Sequence, residues 1–376
     1  MRLTFNRPYA TGREFDYIRE AIENRHLSGN GPFDRRCCEW LQQRTGSPRA
    51  FLTSSCTSAL EMAAMLAGVG SGDEVIMPSF TFVTTASAFA LRGATPVFVD
   101  VRPDTLNLDE TLIESAVTER TRAIVPVHYA GVGCEMDSIC AIADAHDLLV
   151  IEDAAQAMAS TYRGRPLGAL GALGCLSFHE TKNVIAGEAG ALLVNRPDWV
   201  ERAEIMQEKG TNRMQFFRGE VDKYTWVELG SSFLTSEVNA AFLWAQLEQA
   251  DSITARRMEV WNAYDEQLAE LERRERLRRP RIPAECAHNA HMYYVLLPDP
   301  AGRNRLIGAL AEADIQAIFH YVPLHSSPAG RRYGRAPGPL EVTDDVSARL
   351  VRLPLWVGMG DEDVALVVGA IDRALG

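Results

Sequence analysis

A chain of 376 residues exceeds what one core ordinarily supports, so two domains are expected. Apolar residues make up 47% and charged residues 23%, which excludes a disordered or fibrous chain. The formal net charge of -12 argues against a nucleic-acid partner, which needs Lys and Arg clustered on one face. The one basic cluster, ERRERLRRPR at 272–281, carries two Glu and reads as a solvated helix end and linker. Seven scattered cysteines, with Cys37 and Cys38 adjacent, form no disulfide framework and suit a reducing compartment. Met1 leads into RLTFNRPYATG without a charged-then-apolar leader, and no apolar run approaches the ~18 residues of a membrane span. A soluble cytoplasmic protein is the expectation.

From Leu52 to about Asn195, short β-rich runs alternate with helix-like segments, the pattern of parallel strands joined by helical crossovers. The predicted strands are DEVIM (73–77), TPVFVD (95–100), RAIVPVH (122–128), LLVIED (148–153), CLSFH (175–179) and ALLVN (191–195). Between them, TSALEMAAMLAGV, FVTTASAFALRG and CEMDSICAIADAHD repeat apolar residues at helical spacing. Strands this uniformly apolar are covered on both faces, which predicts a doubly wound, mostly parallel sheet with ligands beyond its carboxyl ends. After Ser236 a long stretch free of Gly and Pro predicts two linking helices, and MYYVLL, RNRLIGALAEAD and DEDVALVVGAIDRAL predict a small α+β domain. The division is placed at residues 1–250, including the N-terminal segment, and 251–376.

Three features carry chemistry. Asp153 ends LLVIED where such a sheet presents groups to a ligand, although Asp at a strand end is also a common cap. Lys182 follows 29 positions later, after the strand CLSFH and before a Gly-rich turn; a Lys entering a pocket there loses its proton readily and attacks a carbonyl. Thr57 and Ser58 open a predicted helix, where free N–H groups attract an anion or where the hydroxyls simply cap. Pyridoxal phosphate needs such a Lys for its aldehyde, an acid for its pyridine nitrogen and donors for its phosphate. Ser177 would add a hydroxyl on the same side of its strand as His179, and Phe80 or Phe82 would either stack on a ring or fill the core, with Phe82 better placed between strand end and helix.

The motifs SSCTSAL, PSFTFV, VPVHYAG, VIEDAAQA, SFHETKN and HYVPLH together resemble the DegT/DnrJ/EryC1/StrS sugar aminotransferases, along nearly the whole chain and in order. The resemblance implies the aspartate-aminotransferase fold, fold type I, and pyridoxal or pyridoxamine phosphate as cofactor. It implies Lys182 as the Schiff-base lysine, Asp153 at the pyridine nitrogen, Gln156 near the ring hydroxyl, Phe82 on the ring, and Thr57, Ser58 and Ser177 at the phosphate. The stretch EKGTNRMQFFRGEVDKYTWVELGSS is similar to one branch, the dTDP-4-keto-6-deoxyglucose 4-aminotransferases. A nucleotide-linked keto sugar and L-glutamate are therefore the expected substrates, and a homodimer with shared sites the expected assembly. Where many members carry GYNxR, this chain reads GSSFL, placing Ser232 at the position that reaches a neighbouring subunit's phosphate. The family's C-3 dehydratases replace the lysine by His; this chain keeps Lys182.

GTNRMQFFRGEVDKYTW packs three cations, four aromatics and two glycines into a stretch without regular apolar spacing, which predicts an ordered loop. Arg213, Arg218, Lys223, Tyr224 and Trp226 are candidates for the sugar nucleotide, since a diphosphate needs cations and a base needs flat apolar surface. An interface loop touching the other subunit is the competing reading. His320 and His325 of FHYVPLH either close over the sugar or are satisfied structural histidines. Two other classes are disfavoured: a non-catalytic pyridoxal-phosphate sensor, for which no DNA-binding appendage is visible, and a nicotinamide oxidoreductase, against which the first strand lacks a GxGxxG.

Overall fold

The computed structural model describes residues 2–376. Its central sheet comprises β1 (Arg49–Thr53), β2 (Glu74–Pro78), β3 (Thr95–Val99), β4 (Thr121–Ile124), β5 (Leu149–Asp153), β6 (Leu173–Ser177) and β7 (Gly190–Val194). The spatial order is β1-β7-β6-β5-β4-β2-β3. Neighbours pair in parallel except β7, which runs antiparallel to both β1 and β6. The mostly parallel sheet is as expected. β1 lies outside the predicted strands, since the alternating pattern begins at Leu52 and RAFLT is too short to show a period. β4 is shorter than RAIVPVH because Pro126, lacking an N–H, cannot continue a ladder; Val127 then makes a single bridge to Asp153.

Both faces of the sheet are covered. One core cluster gathers Leu52, Ile76, Val97, Ile124 and Val150 with helix Pro32–Thr45 and helix Glu237–Leu247; the other gathers Phe51, Val75, Met77, Ala123 and Ile151 with helix Cys56–Leu66. The alternation along each strand explains this division, since successive side chains point to opposite faces. A third cluster takes Val260, Trp261 and Tyr264 from helix Ala250–Gln267 together with β8 (Tyr293–Leu296), β9 (Leu350–Leu353) and helices Pro300–Glu312 and Asp361–Leu375. Leu3 packs into this cluster as well, its strand-like segment bridging to Ile315. Among the described residues no helix is long and apolar enough to cross a membrane.

Polar ties connect the sheet to the C-terminal elements. The carboxylate of Asp100, just past β3, accepts the amide N–H of Val342 (2.9 Å) and Thr343 (2.8 Å) at the start of helix Glu341–Arg349. That position also favours an anion through the helix dipole. Glu74, fully buried at the start of β2, is clamped by Arg335 (2.7 Å) and by Arg120.

Consecutive carboxylates end β5. The first, Glu152, is wholly buried and accepts the amide N–H groups of Gly168 (2.7 Å), Leu170 (2.7 Å) and Gly171 (2.6 Å). Its remaining partner is His128, whose Nε2 lies 2.9 Å away. Because His128 Nδ1 accepts the Cys134 N–H (3.2 Å), Nε2 carries the proton and donates. Replacing Glu152 by Leu strands these donors in the core, so Glu152→Leu should lower stability by about 3–5 kcal/mol. Denaturant unfolding of the purified protein measures this; a loss under about 1 kcal/mol means the turn 168–171 is held otherwise.

Candidate active site

The second carboxylate, Asp153, faces the other way, into a cavity of about 690 Å³ beyond the carboxyl ends of the strands. It is nearly buried, so its charge requires donors. Thr85 Oγ donates to one oxygen at 2.6 Å, and the Ala155 N–H donates to the other at 3.2 Å. Having spent its single proton on Asp153, Thr85 must accept from Thr81 Oγ, 2.9 Å away. This Thr81–Thr85–Asp153 chain fixes the carboxylate's orientation. Thr85 lies on helix Val83–Ala90, directly after Phe82; the sequence reading noted that segment for its aromatics and missed the hydroxyl, which carries no motif of its own.

Lys182 sits on the loop between β6 and β7 and lines the same cavity. Hydrogen bonds from Phe178 N to Ala189 O (2.8 Å) and from Ala186 N to Phe178 O (2.7 Å) fold the loop back on itself. Gly187, at φ +75°, makes the left-handed turn that this return requires. Asn183 pins the loop to the C-terminal elements, donating to Asn289 O (2.7 Å) and meeting His291 Nδ1 (3.0 Å). Burial pushes the Lys182 ammonium below its usual range, with the positive charge of Arg352 adding to this and the negative charge of Asp153 opposing it. A larger neutral fraction near pH 7 makes the amine a better nucleophile and base.

The third wall is the start of helix Cys56–Leu66. Its N-cap is Ser55, whose hydroxyl accepts the Ser58 N–H at 3.0 Å. Ser58 is half-buried, its hydroxyl 2.8 Å from Ser54 and 3.1 Å from Ser55, while Thr57 lines the cavity. Of the two expected helix-opening hydroxyls, Thr57 lines the cavity and Ser58 bonds within its own turn. Gly190, the first residue of β7, allows this turn to lie against the sheet: a Cβ there would be 2.6 Å from Ser55 O. Ser177, at the end of β6, also lines the cavity.

Aromatic rings close the remaining side. Phe82 is 54% exposed, its ring centre 6.4 Å from that of Tyr321, so one face is open to a flat ligand. Gln156 accepts the Ala130 N–H (2.7 Å) and donates to Tyr321 Oη (2.9 Å), which assigns its amide unambiguously. His320 stacks on Tyr321 at 3.5 Å and its Nδ1 lies 2.9 Å from Tyr129 Oη. Burial and nearby cations hold it well below the ordinary histidine range, hence neutral. Phe80 is core, packed on Tyr129 at 5.2 Å. Tyr321, Arg257, Arg352 and Phe5 line the cavity without having been singled out from sequence. Only Tyr321 fell inside a noted motif; the others come from segments remote in sequence that lack local signals.

The structure thus brings together Lys182, Asp153, Thr57, Phe82, Gln156, Ser177 and His320. Other candidates lie off this chain's own cavity. His325 lies 2.8 Å from Ser79 Oγ and 3.4 Å from Asp344. Arg218 is engaged by Glu204 (2.8 Å) and Glu220 (2.7 Å). Arg213 lies over Phe217, Tyr224 packs on Phe216, and Lys223 and the 71%-exposed Trp226 face outward. This stretch is not wholly loop: Arg213–Phe217 forms one helical turn and Thr211 bridges Trp226, a pairing that sequence periodicity cannot display over so few residues. Ser232 is exposed and bridges to Glu208.

An amine of lowered pKa, a fixed carboxylate, a hydroxyl beside a helix N-terminus and a half-open aromatic face in one cavity are the donor set that pyridoxal phosphate requires, so the residues fit it. Residues 8–372 match the DegT/DnrJ/EryC1/StrS aminotransferase family. GDP-perosamine synthase from Caulobacter vibrioides is 32% identical over 378 residues, covering 100% of this chain and 98% of that protein. The aminotransferase TlmJ from Streptoalloteichus hindustanus superposes with a TM-score of 0.91 at 30% identity, over 99% of this chain and 98% of that one. The PLP-form of Spr1654 from Streptococcus pneumoniae superposes with a TM-score of 0.90 at 25% identity, over 100% of both chains. The chain therefore belongs to the DegT/DnrJ/EryC1/StrS family and is a pyridoxal-phosphate-dependent sugar aminotransferase.

Proposed function

We propose that this enzyme transfers the amino group of L-glutamate to the C-4 ketone of dTDP-4-keto-6-deoxyglucose, giving a dTDP-4-amino-4,6-dideoxyhexose in the cytoplasm. The observation that carries the chemistry is the single cavity shared by Lys182 and the fixed carboxylate of Asp153. The acceptor rests on the stretch EKGTNRMQFFRGEVDKYTWVELGSS and its similarity to the dTDP-4-keto sugar branch. A GDP-linked acceptor is the second reading, favoured by the likeness to GDP-perosamine synthase.

Bound pyridoxal phosphate supplies an aldehyde and a ring that accepts electrons. Lys182 would hold that aldehyde, and Thr57, Ser177 and the helix N-terminus would take the phosphate, with Ser58 supporting the turn. Asp153, its orientation set by Thr85, would hold a proton on the ring nitrogen by opposite charge. Gln156, held by Tyr321, would meet the ring hydroxyl, and Phe82 would cover a ring face. Lys182 Nζ removes a proton from the α-carbon of the donor and delivers one to C-4 of the sugar.

The outward-facing segment Gly210–Trp226 and Ser232 lie off their own chain's cavity, which suits a homodimer in which each subunit completes the other's site. In that assembly Lys223, Tyr224 and Trp226 contact the sugar nucleotide across the boundary, and the ion-paired Arg218 positions the segment. The division at residue 250 gives a cofactor domain and a smaller one, with the N-terminal segment around Leu3 joining the smaller one, from which His320 approaches the sugar.

Lys182→Ala should keep the fold and lose turnover by ~10³-fold or more, followed as 2-oxoglutarate release from glutamate; near-normal turnover would remove Lys182 from the site. Asp153→Asn should retain cofactor absorbance yet transaminate ~10²-fold more slowly. A wild-type rate in that variant assigns the ring nitrogen to another partner. Offered dTDP- and GDP-linked 4-keto-6-deoxyhexoses side by side, the enzyme should aminate the dTDP sugar with the higher kcat/KM, and the reverse order establishes the second reading. Lys223→Ala should raise KM for the nucleotide sugar about tenfold while the glutamate half-reaction and the sedimenting dimer persist. Loss of the dimer, or equal damage to the glutamate half-reaction, would place this segment in assembly instead.

A further inference from the structure

His291, just before β8, is buried in the wall of the cavity that also holds Lys182. Its neighbours fix where its proton sits. Asn183 Nδ2 donates to Asn289 O at 2.7 Å, and a carbonyl only accepts, so the Asn183 amide has one orientation. The atom 3.0 Å from His291 Nδ1 is therefore Asn183 Oδ1. A carboxamide oxygen has no proton to give, so Nδ1 carries the hydrogen and donates. Burial, with the charges of Lys182, Arg257 and Arg352 adding to it, holds the ring well below the ordinary histidine range, so it is neutral and carries no second proton. Nε2 is thus a bare lone pair, and no donor among the described residues bonds to it. An acceptor left without a donor in a buried ring is costly, so its partner belongs inside the cavity.

We propose that His291 is a positioning residue for Lys182, its Nε2 accepting an N–H of the lysine amine whenever that amine is free of the cofactor. This rests on the aminotransferase reading and adds to it the means by which the lysine is aimed. Three observations select Lys182 as the donor. Both side chains line one cavity. Asn183, which bonds the His291 ring, directly follows Lys182, so the bond that fixes the ring also fixes the loop carrying the lysine. The charge of Lys182 acts on the ring more strongly than that of Arg257, although Arg257 donates to the His291 carbonyl at 2.7 Å. Asp153 is the poorer acceptor for this amine, because its oxygens already take Thr85 Oγ (2.6 Å) and the Ala155 N–H (3.2 Å). A neutral amine has two N–H groups and one lone pair, so holding an N–H on Nε2 restricts where the lone pair points while it removes a proton. Once Lys182 is an ammonium, the same contact is charge-assisted and steadies it until the proton is delivered. A neutral imidazole does this without the full negative charge of a carboxylate, which would hold the proton too firmly for the delivery that follows.

The test uses enzyme loaded with pyridoxamine phosphate, a form in which Lys182 is a free amine. With histidines labelled by heavy nitrogen, the His291 Nε2 resonance, assigned by its loss in His291→Asn, should report an unprotonated nitrogen. It should shift in Lys182→Ala, which removes the donor. Acylation of Lys182, followed across pH by peptide mass, should titrate at lower pH in His291→Asn, because the ammonium loses an acceptor. The Asn side chain still offers a donor to Asn183, so the loop keeps its tie. His291→Asn should also lower the limiting rate of the glutamate half-reaction by about 10- to 150-fold, the span of a charge-assisted hydrogen bond. Half-saturation by glutamate should stay near wild type, and the isotope effect with α-deuterated glutamate should rise. His291→Gln, whose amide oxygen reaches the Nε2 position, should recover most of the rate. An unmoved Nε2 resonance in Lys182→Ala overturns the proposal, and that comparison stands even where neither His291 variant folds. An unchanged limiting rate in His291→Asn overturns it too, as does equal damage by Asn and Gln, which leaves His291 a clamp on Asn183 alone. Failure of wild type to react with any amino acid would instead refute the aminotransferase reading, while the resonance comparison still decides the contact.

Discussion

A carboxylate kept charged inside a protein must be surrounded by donors, and β5 ends in two of them. Because successive residues of a strand point to opposite faces, Glu152 and Asp153 serve opposite sides of the sheet. Glu152 spends its oxygens on the turn 168–171 and on His128, which hold the layer behind β5 and β6 in place. Asp153 takes donors from Thr85 and Ala155 and still lines the cavity. The position of the second carboxylate depends on the first, since the strand end that carries Asp153 is the one that Glu152 anchors. Lys182 in turn depends on Asp153: burial alone lowers its pKa, and the nearby negative charge limits the fall.

The cavity is assembled across elements that have little to do with one another in sequence. Gln156, from beyond β5, is bonded to Tyr321, and Asn183, beside Lys182, is bonded to Asn289 and His291. Asp100 caps the helix beginning at Glu341, and Glu74 clamps Arg335. These buried polar contacts are directional, so they set the spacing of the wall more sharply than apolar packing does. Arg352 and Phe5 occupy that wall from the two ends of the chain, adjacent only because the segment around Leu3 packs with the C-terminal cluster.

Much of the architecture was legible before folding. The run of apolar strands and helical crossovers from β2 to β6 shows in the period of apolar residues, and the strand-end positions of Asp153 and Ser177 follow from it. β1 was not legible, because five residues are too few for a period and its pairing with β7 is a long-range event. Nor was the short helix at Arg213–Phe217, where one turn leaves no repeat. Ser55 rather than Ser58 serves as the cap because backbone angles select the capping residue, and SSCTS offers several hydroxyls equally.

Local chemistry in the chain determined which residue types were available at the ends of the strands: the amine of Lys182, the carboxylate of Asp153, the hydroxyls of Thr57 and Ser177, and the ring of Phe82. Motif order along the chain carried the family. Tertiary structure alone decided which of the candidates share one space, bonding Ser58 to Ser54 and Ser55 at the helix start, setting His325 against Ser79, and leaving Lys223 and Trp226 outside the cavity of their own chain. It also decided which nitrogen of His291 donates and which is left bare. The reason is that a side chain's chemistry is set by its covalent structure, whereas its charge state, partners and freedom depend on desolvation and on atoms brought near by contacts hundreds of residues apart.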